Sequence, residues 1–221
     1  MSNQLENLVE KTILEMSKFS ALASRGGDLT HVCPTAALKM GKNPALIVFD
    51  LDFTLWPFDC DKDVIAPYTR NEQGVIDSRG RWANPYVDVV GILGTLYHAK
   101  IPVAFASRNP SSESIKALLR TIPMPTNEGE KTLWDVLPNE DYFHAYSTLG
   151  ANRGKDPHFA ALKMVTGVEF SDMLFFDDLP QNIQYAREQG TTSVFLDQQR
   201  GLTWVAFLRG IAEWRARQKC I

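Results

Sequence analysis

Ala45-Leu46-Ile47-Val48-Phe49 is an unbroken apolar run that includes two β-branched residues and stops abruptly at Asp50. A run this short, with no polar residue alternating through it, fits a strand buried on both faces, as in the interior of a parallel sheet. Such a strand delivers the carboxylate of Asp50 to its edge. The pattern recurs twice: Ile101–Ala106 ends at Ser107, and Met173–Phe176 ends at Asp177 and Asp178. Three apolar segments therefore finish in polar groups.

The stretches between them read as helices, at Val87–Tyr97, Ser112–Leu119 and His158–Val165, with a fourth at Asn182–Gln189 after the acidic pair. Thr192–Leu196 and Phe143–Tyr146 add further strand candidates. This alternation predicts an α/β fold with a doubly wound, mostly parallel sheet. Within Asp59–Arg81, the turn signals Asn71-Glu72-Gln73-Gly74 and Ser78-Arg79-Gly80 surround short apolar pieces, which predicts a hairpin-like lid at about 59–81. It is too short to be an independent cap domain, so the cavity beneath it should be comparatively open.

Outside this unit, Leu8, Ile13, Leu14, Phe19 and Leu22 form an imperfect helical stripe over Leu5–Leu22, followed by a Gly- and Pro-marked connector. The expected division is an extension over 1–43 and a catalytic domain over 44–221. A late segment, Leu202–Arg217, reads as a helix whose Trp204, Leu208, Ile211 and Trp214 suit either domain packing or a partner.

Charge and cysteine content narrow the class of function. With 23 basic and 26 acidic residues the net charge is −3, which supplies no broad field for gripping nucleic acid. Cys33, Cys60 and Cys220 are odd in number and far apart, an arrangement that suits a reducing compartment better than a disulfide framework. The N-terminus lacks the basic start and apolar core of a secretory signal, and no apolar run approaches the roughly 20 residues that span a bilayer. A cytoplasmic protein with no membrane role is expected. His31, His98, His144 and His158 form no local metal-ligand pattern.

Asp50-Leu51-Asp52-Phe53-Thr54 carries the most chemical information. One carboxylate can attack phosphorus while the other, two positions later, manages the leaving group's proton. A straight strand would space the two acids along one face, so the backbone must bend immediately after Asp50 to bring both to one substrate. Magnesium would keep Asp50 ionised, with Asp177 as a further ligand and Asp178 either beside it or reaching through water. Ser107 is a candidate for binding a phosphoryl oxygen and Lys155 for offsetting charge on phosphate and on Asp50. Thr54 is expected to support the bent backbone or to bond phosphate, and Asn182 to orient the acidic loop. Each acid alone suits an exposed turn; the constellation carries the reading.

Phe49-Asp50-Leu51-Asp52-Phe53-Thr54-Leu55-Trp56-Pro57-Phe58, Ala106-Ser107-Arg108 and Phe175-Phe176-Asp177-Asp178 resemble the haloacid dehalogenase superfamily. Within it, they are similar to the magnesium-dependent phosphatases with a very small cap, the protein-tyrosine-phosphatase-like acid phosphatases. The resemblance runs from about Ala45 to Leu196. It implies Asp50 as nucleophile, Asp52 as acid/base, Ser107 and Lys155 as phosphate contacts, Asp177 as a magnesium ligand and the backbone carbonyl of Asp52 as another. It also implies phosphotyrosine-like or sugar-phosphate monoesters as substrates, whether free or on a protein.

Arg108 is then a candidate for an outer phosphate oxygen or a substrate carboxylate, and Trp56 and Phe58 for one wall of an aromatic pocket or for core packing. Cys60 reads as a packed thiol, since no adjacent basic group activates it. The expected activity is magnesium-dependent hydrolysis of a phosphate monoester through an aspartyl-phosphate. The alternatives are transfer to another acceptor, or phosphate binding without turnover.

Overall fold

The computed structural model describes residues 38–39, 41–147 and 154–218. The expected helix at Leu5–Leu22 lies outside them, as do Cys33, Cys220 and His31. Five strands form the main sheet: β1 (Leu46–Phe49), β4 (Val103–Ser107), β7 (Phe143–Ala145), β8 (Met173–Asp177) and β9 (Thr192–Phe195). Their order is β7-β4-β1-β8-β9 and every neighbouring pair is parallel.

Because β1 is central, its side chains are buried alternately on two faces. Ile47 and Phe49 join one apolar cluster, and Leu46 and Val48 join the other. That is why the run shows no polar alternation. The first face is covered by α1 (Val89–Ala99), α2 (Ser112–Thr121) and α5 (Trp204–Gln218), whose Ile92, Leu118 and Phe207 belong to the same cluster. The second is covered by α3 (Asp156–Thr166) and α4 (Pro180–Glu188), through Phe159, Leu162 and Ile183.

Close packing explains one glycine in α5. A Cβ on Gly210 would lie 2.7 Å from Cζ of Phe176, whose ring stacks between Phe49 and Phe207 at centroid distances of 5.2 and 6.0 Å.

From β1 the chain winds outward through β4 to β7, then crosses by α3 to β8 on the opposite side of β1 and on to β9. The reversal opens a crevice at the carboxyl ends of the central strands, where open α/β sheets bind ligands. Asp50, Ser107 and Asp177 stand at those ends.

The lid is present as an antiparallel pair, β2 (Thr69–Asn71) and β3 (Gly74–Ile76). Asn71 closes its turn, with Oδ1 accepting the N–H groups of Gln73 and Gly74 at 2.8 and 3.1 Å. Asp77 anchors the hairpin: its carboxylate accepts from the backbone of Ile65, Arg79 and Arg81 at 3.0, 2.9 and 2.8 Å, and from Nη2 of Arg81 at 2.6 Å.

A second hairpin, β5 (Pro123–Thr126) with β6 (Gly129–Thr132), was not expected from the residues. Pro123 and Pro125 lack the amide donor and so disguise the segment, yet an isolated two-stranded pair tolerates them. Arg70 of the lid meets Glu130 of this second hairpin at 2.6 Å.

Candidate active site

The backbone does bend after Asp50. Leu55 N–H bonds to Leu51 C=O at 2.7 Å and Thr54 N–H to the same oxygen at 3.1 Å. Phe53 takes a left-handed φ of 56° to complete the turn. A non-glycine residue in that region costs on the order of 1 kcal/mol, which the surrounding packing must offset. Leu51 and Leu55 are both fully buried on either side of it.

Three carboxylates converge at the ends of β1 and β8. Asp50, Asp177 and Asp178 each offer an oxygen, and these oxygens lie within 4.8 Å of one another. Lys155 enters from the N-cap of α3 on the second face of the sheet. Its ammonium donates to Oδ1 of Asp50, and to Oδ2 of Asp177 at 2.7 Å. Gly154 makes this approach possible: it adopts a φ of 53°, and a Cβ there would lie 2.5 Å from the ring of Tyr185 and 3.2 Å from Oδ1 of Asn182.

Asn182, buried on α4, donates from Nδ2 to both oxygens of Asp177 at 3.1 and 2.9 Å. Gln198 donates from Nε2 to Oδ2 of Asp178 at 2.6 Å.

Burial dominates the electrostatics. It raises the carboxyl of Asp50 to about 7 despite the opposing pull of Lys155, and that of Asp177 to about 6. Asp178 is raised by the same cause. Lys155 is held above its usual range: burial opposes its charge, but Asp177 and Asp50 outweigh that effect. Three carboxylates against one ammonium leave the cluster short of positive charge. An all-oxygen donor set with that deficit fits a hard divalent cation such as magnesium.

Asp52 lies outside the three-acid cluster and is also partly enclosed. Its Oδ1 accepts Nε1–H of Trp56 at 2.8 Å and the backbone N–H of Cys60 at 3.1 Å, and its Oδ2 accepts Nδ2–H of Asn109 at 2.6 Å. Burial raises its carboxyl in spite of these donors. Trp56 is fully buried and stacks on the buried ring of Phe58 at 5.8 Å, so the indole meets Asp52 edge-on from within the core.

The Ser107 hydroxyl oxygen accepts Asn109 N–H at 3.1 Å, and its carbonyl accepts Nε2–H of His158 at 2.7 Å. Arg108 is exposed on the loop beyond β4. Thr54 is fully buried; its carbonyl takes Leu202 N–H at 2.9 Å, and its Oγ1 has no partner among the described residues. Cys60 is buried, and burial pushes its thiol up to about 11.

Asn109, His158 and Gln198 were missed as contributors. For Asn109 a signal existed, since it follows Ser107 by two positions on the same loop. His158 and Gln198 carry no local pattern.

Residues 42–217 match the family described as Acid Phosphatase. Among curated proteins, Magnesium-dependent phosphatase 1 of Homo sapiens is 32% identical over 180 residues, covering 81% of this chain and 92% of its own length. A HAD-like hydrolase superfamily protein of Schizosaccharomyces pombe is 31% identical over 169 residues, covering 75% of this chain and 93% of its own. Among solved structures, the N-terminal part of a Bacteroides fragilis protein containing a phosphatase domain, complexed with Mg, aligns with a TM-score of 0.53 at 18% identity. It covers 79% of this chain and 42% of that one. The last likeness concerns the fold alone. The chain belongs to the Acid Phosphatase family and to the HAD-like hydrolase superfamily.

Proposed function

We propose that this member of the Acid Phosphatase family hydrolyses phosphate monoesters by way of a phosphorylated Asp50, with an aryl or sugar phosphate as substrate. The observation that carries this reading is the convergence of Asp50, Asp177 and Asp178, the first two of them paired with the buried ammonium of Lys155. The name of the human relative, Magnesium-dependent phosphatase 1, supports the choice of metal.

Asp50, Asp177 and Asp178, with the carbonyl of Asp52, would hold magnesium. When bound, the ion would supply Lewis-acid charge to the phosphoryl oxygens and favour the ionised acids.

Asp50 attacks phosphorus in line with the leaving oxygen. Asp52 gives its proton to that oxygen as the P–O bond breaks and the electron pair departs with the alcohol. Asp52, now a carboxylate, takes a proton from water as the water oxygen attacks phosphorus. The bond to Asp50 then breaks and inorganic phosphate is released. Ser107 and Lys155 bind the phosphoryl oxygens, and Arg108, exposed at the mouth, meets the outer part of the substrate. Thr54 supports the turn that aims both acids, Trp56 with Phe58 behind it fixes Asp52, and Asn182 fixes Asp177.

The test is phosphate release from a panel of aryl and sugar monoesters with and without magnesium, using Asp50→Asn as control and rapid-quench mass spectrometry to detect the phosphorylated aspartate. Magnesium-dependent release that Asp50→Asn lowers by at least about 10³-fold supports the reading. Transfer to an added alcohol without free phosphate, or binding without turnover, would replace it.

A further inference from the structure

The loop that follows Ser107 holds a residue with every side-chain hydrogen-bonding group committed. Asn109 is nearly buried, at 9% exposure. One amide hydrogen goes to Oδ2 of Asp52 at 2.6 Å and the other to Oδ1 of Asp59 at 3.2 Å. Its Oδ1 accepts Ser111 N–H at 2.9 Å, and its own N–H bonds the Ser107 hydroxyl. The Ser111 contact fixes which way the amide points, because the flipped amide would set its NH₂ against a backbone donor.

A carboxylate offers about four lone-pair directions in its plane. On Asp52, Trp56 and Cys60 take both directions of Oδ1, and Asn109 takes one of Oδ2. Among the described residues a single direction is left, on Oδ2. We propose that Asn109 is a positioning residue: it leaves one oxygen lone pair of Asp52 to carry the transferable proton, and it ties that oxygen to Ser107 and to the loop bearing Asp59.

The claim rests on the hydrolase reading given above. In the first step the proton leaves Oδ2 for the departing alcohol oxygen, whose bond to phosphorus breaks. Oδ2 then accepts a proton from the attacking water along the same direction. Asn109 donates to Oδ2 throughout and exchanges no proton of its own.

Asp59 gives Asn109 its second anchor. Its Oδ1 also accepts Asp61 N–H at 2.9 Å, and its N–H bonds Oδ2 of Asp63 at 2.8 Å, so the segment leading into the lid and the loop after β4 meet at one amide.

The proposal is tested with Asn109→Ala and Asn109→Asp, the second keeping the side-chain shape while removing the donor. The rate of alcohol release in a single turnover is compared for p-nitrophenyl phosphate, whose leaving group needs little protonation, and for an alkyl phosphate, whose leaving group needs a proton. The Trp56 indole N–H resonance is followed in the same proteins.

Expected is a loss of at least about tenfold on the alkyl ester, within about threefold on the aryl ester, with KM for both nearly unchanged and the Trp56 resonance displaced. Equal losses on both esters, or an unmoved Trp56 resonance, would overturn the positioning role. A wild-type enzyme inactive on every ester would overturn the hydrolase reading and the catalytic claim together. A displaced Trp56 resonance would in that case still show that Asn109 fixes Asp52, so the two failures are distinguishable.

Discussion

The ammonium of Lys155 bridges Asp50 and Asp177, at the ends of two neighbouring strands, and is itself buried with only 2% of its side chain exposed. One cation delivered from the second face of the sheet thus neutralises acids at the ends of β1 and β8. It is also the only basic side chain paired with either acid among the described residues, which makes the cluster dependent on it.

Removing that cation should therefore carry a stability cost, beside the loss of activity that its proposed phosphate contact implies. Lys155→Met should destabilise the metal-free protein by about 3–5 kcal/mol, because it leaves buried carboxylates uncompensated. Denaturant unfolding with and without magnesium checks this, and added magnesium should recover part of the loss. Equal stability of variant and wild type without metal would contradict it.

Protons and metal compete for the same oxygens. Burial raises Asp50 to about 7 and Asp177 to about 6. Between roughly pH 4 and 7 the folded site thus holds protons that unfolded carboxylates, near about 3.9, have lost. The contribution of these groups to metal-free stability should fall as pH rises through that window. Magnesium affinity should rise in the same direction, by up to about tenfold per pH unit for each proton displaced. Calorimetric titration from pH 5.5 to 8 reads both the affinity and the protons released.

Asp77 has the opposite sign. Burial works against its charge, but the N–H groups of Arg81 and Ile65 and the Arg81 guanidinium outweigh burial and hold the carboxyl below its ordinary range. Its stabilisation is complete above the unfolded pKa of about 3.9 and is lost as pH falls through the folded value. Asp77→Ala should cost about 2–4 kcal/mol of local stability in the lid, through lost hydrogen bonds to otherwise unpartnered donors. Faster amide exchange at Ile65, Arg79 and Arg81, with the main sheet unaffected, is the expected signature.

Gly154→Ala tests the approach of Lys155. The added methyl meets a left-handed φ and the ring of Tyr185, so the α3 N-terminus must shift. A stability loss of about 1–3 kcal/mol is expected. A disproportionate fall in kcat should accompany it, measured beside Lys155→Met to show whether the two changes act through the same group.

The family that residues 42–217 match fits what the acidic motifs resemble, and the parallel sheet is the one their apolar runs predict. Those features were legible because a strand buried on both faces must be apolar throughout, and because the two acids lie within a single turn. Burial and backbone geometry over a few residues leave marks on consecutive letters.

What only the tertiary structure decided is which distant groups meet. Lys155 finds Asp50 across 105 positions, and Asn109 finds Asp52 across 57. Neither separation has a local signature, since strand order and the crossover through α3 set it. The orientation of Trp56 was likewise undetermined: a tryptophan after the turn suits a substrate wall or the core equally well, until packing aims its N–H at Asp52. Sequence specified the pieces of the pocket because each follows from its neighbours. Their convergence required the sheet, because the free energy that assembles it is distributed over contacts between residues far apart in the chain.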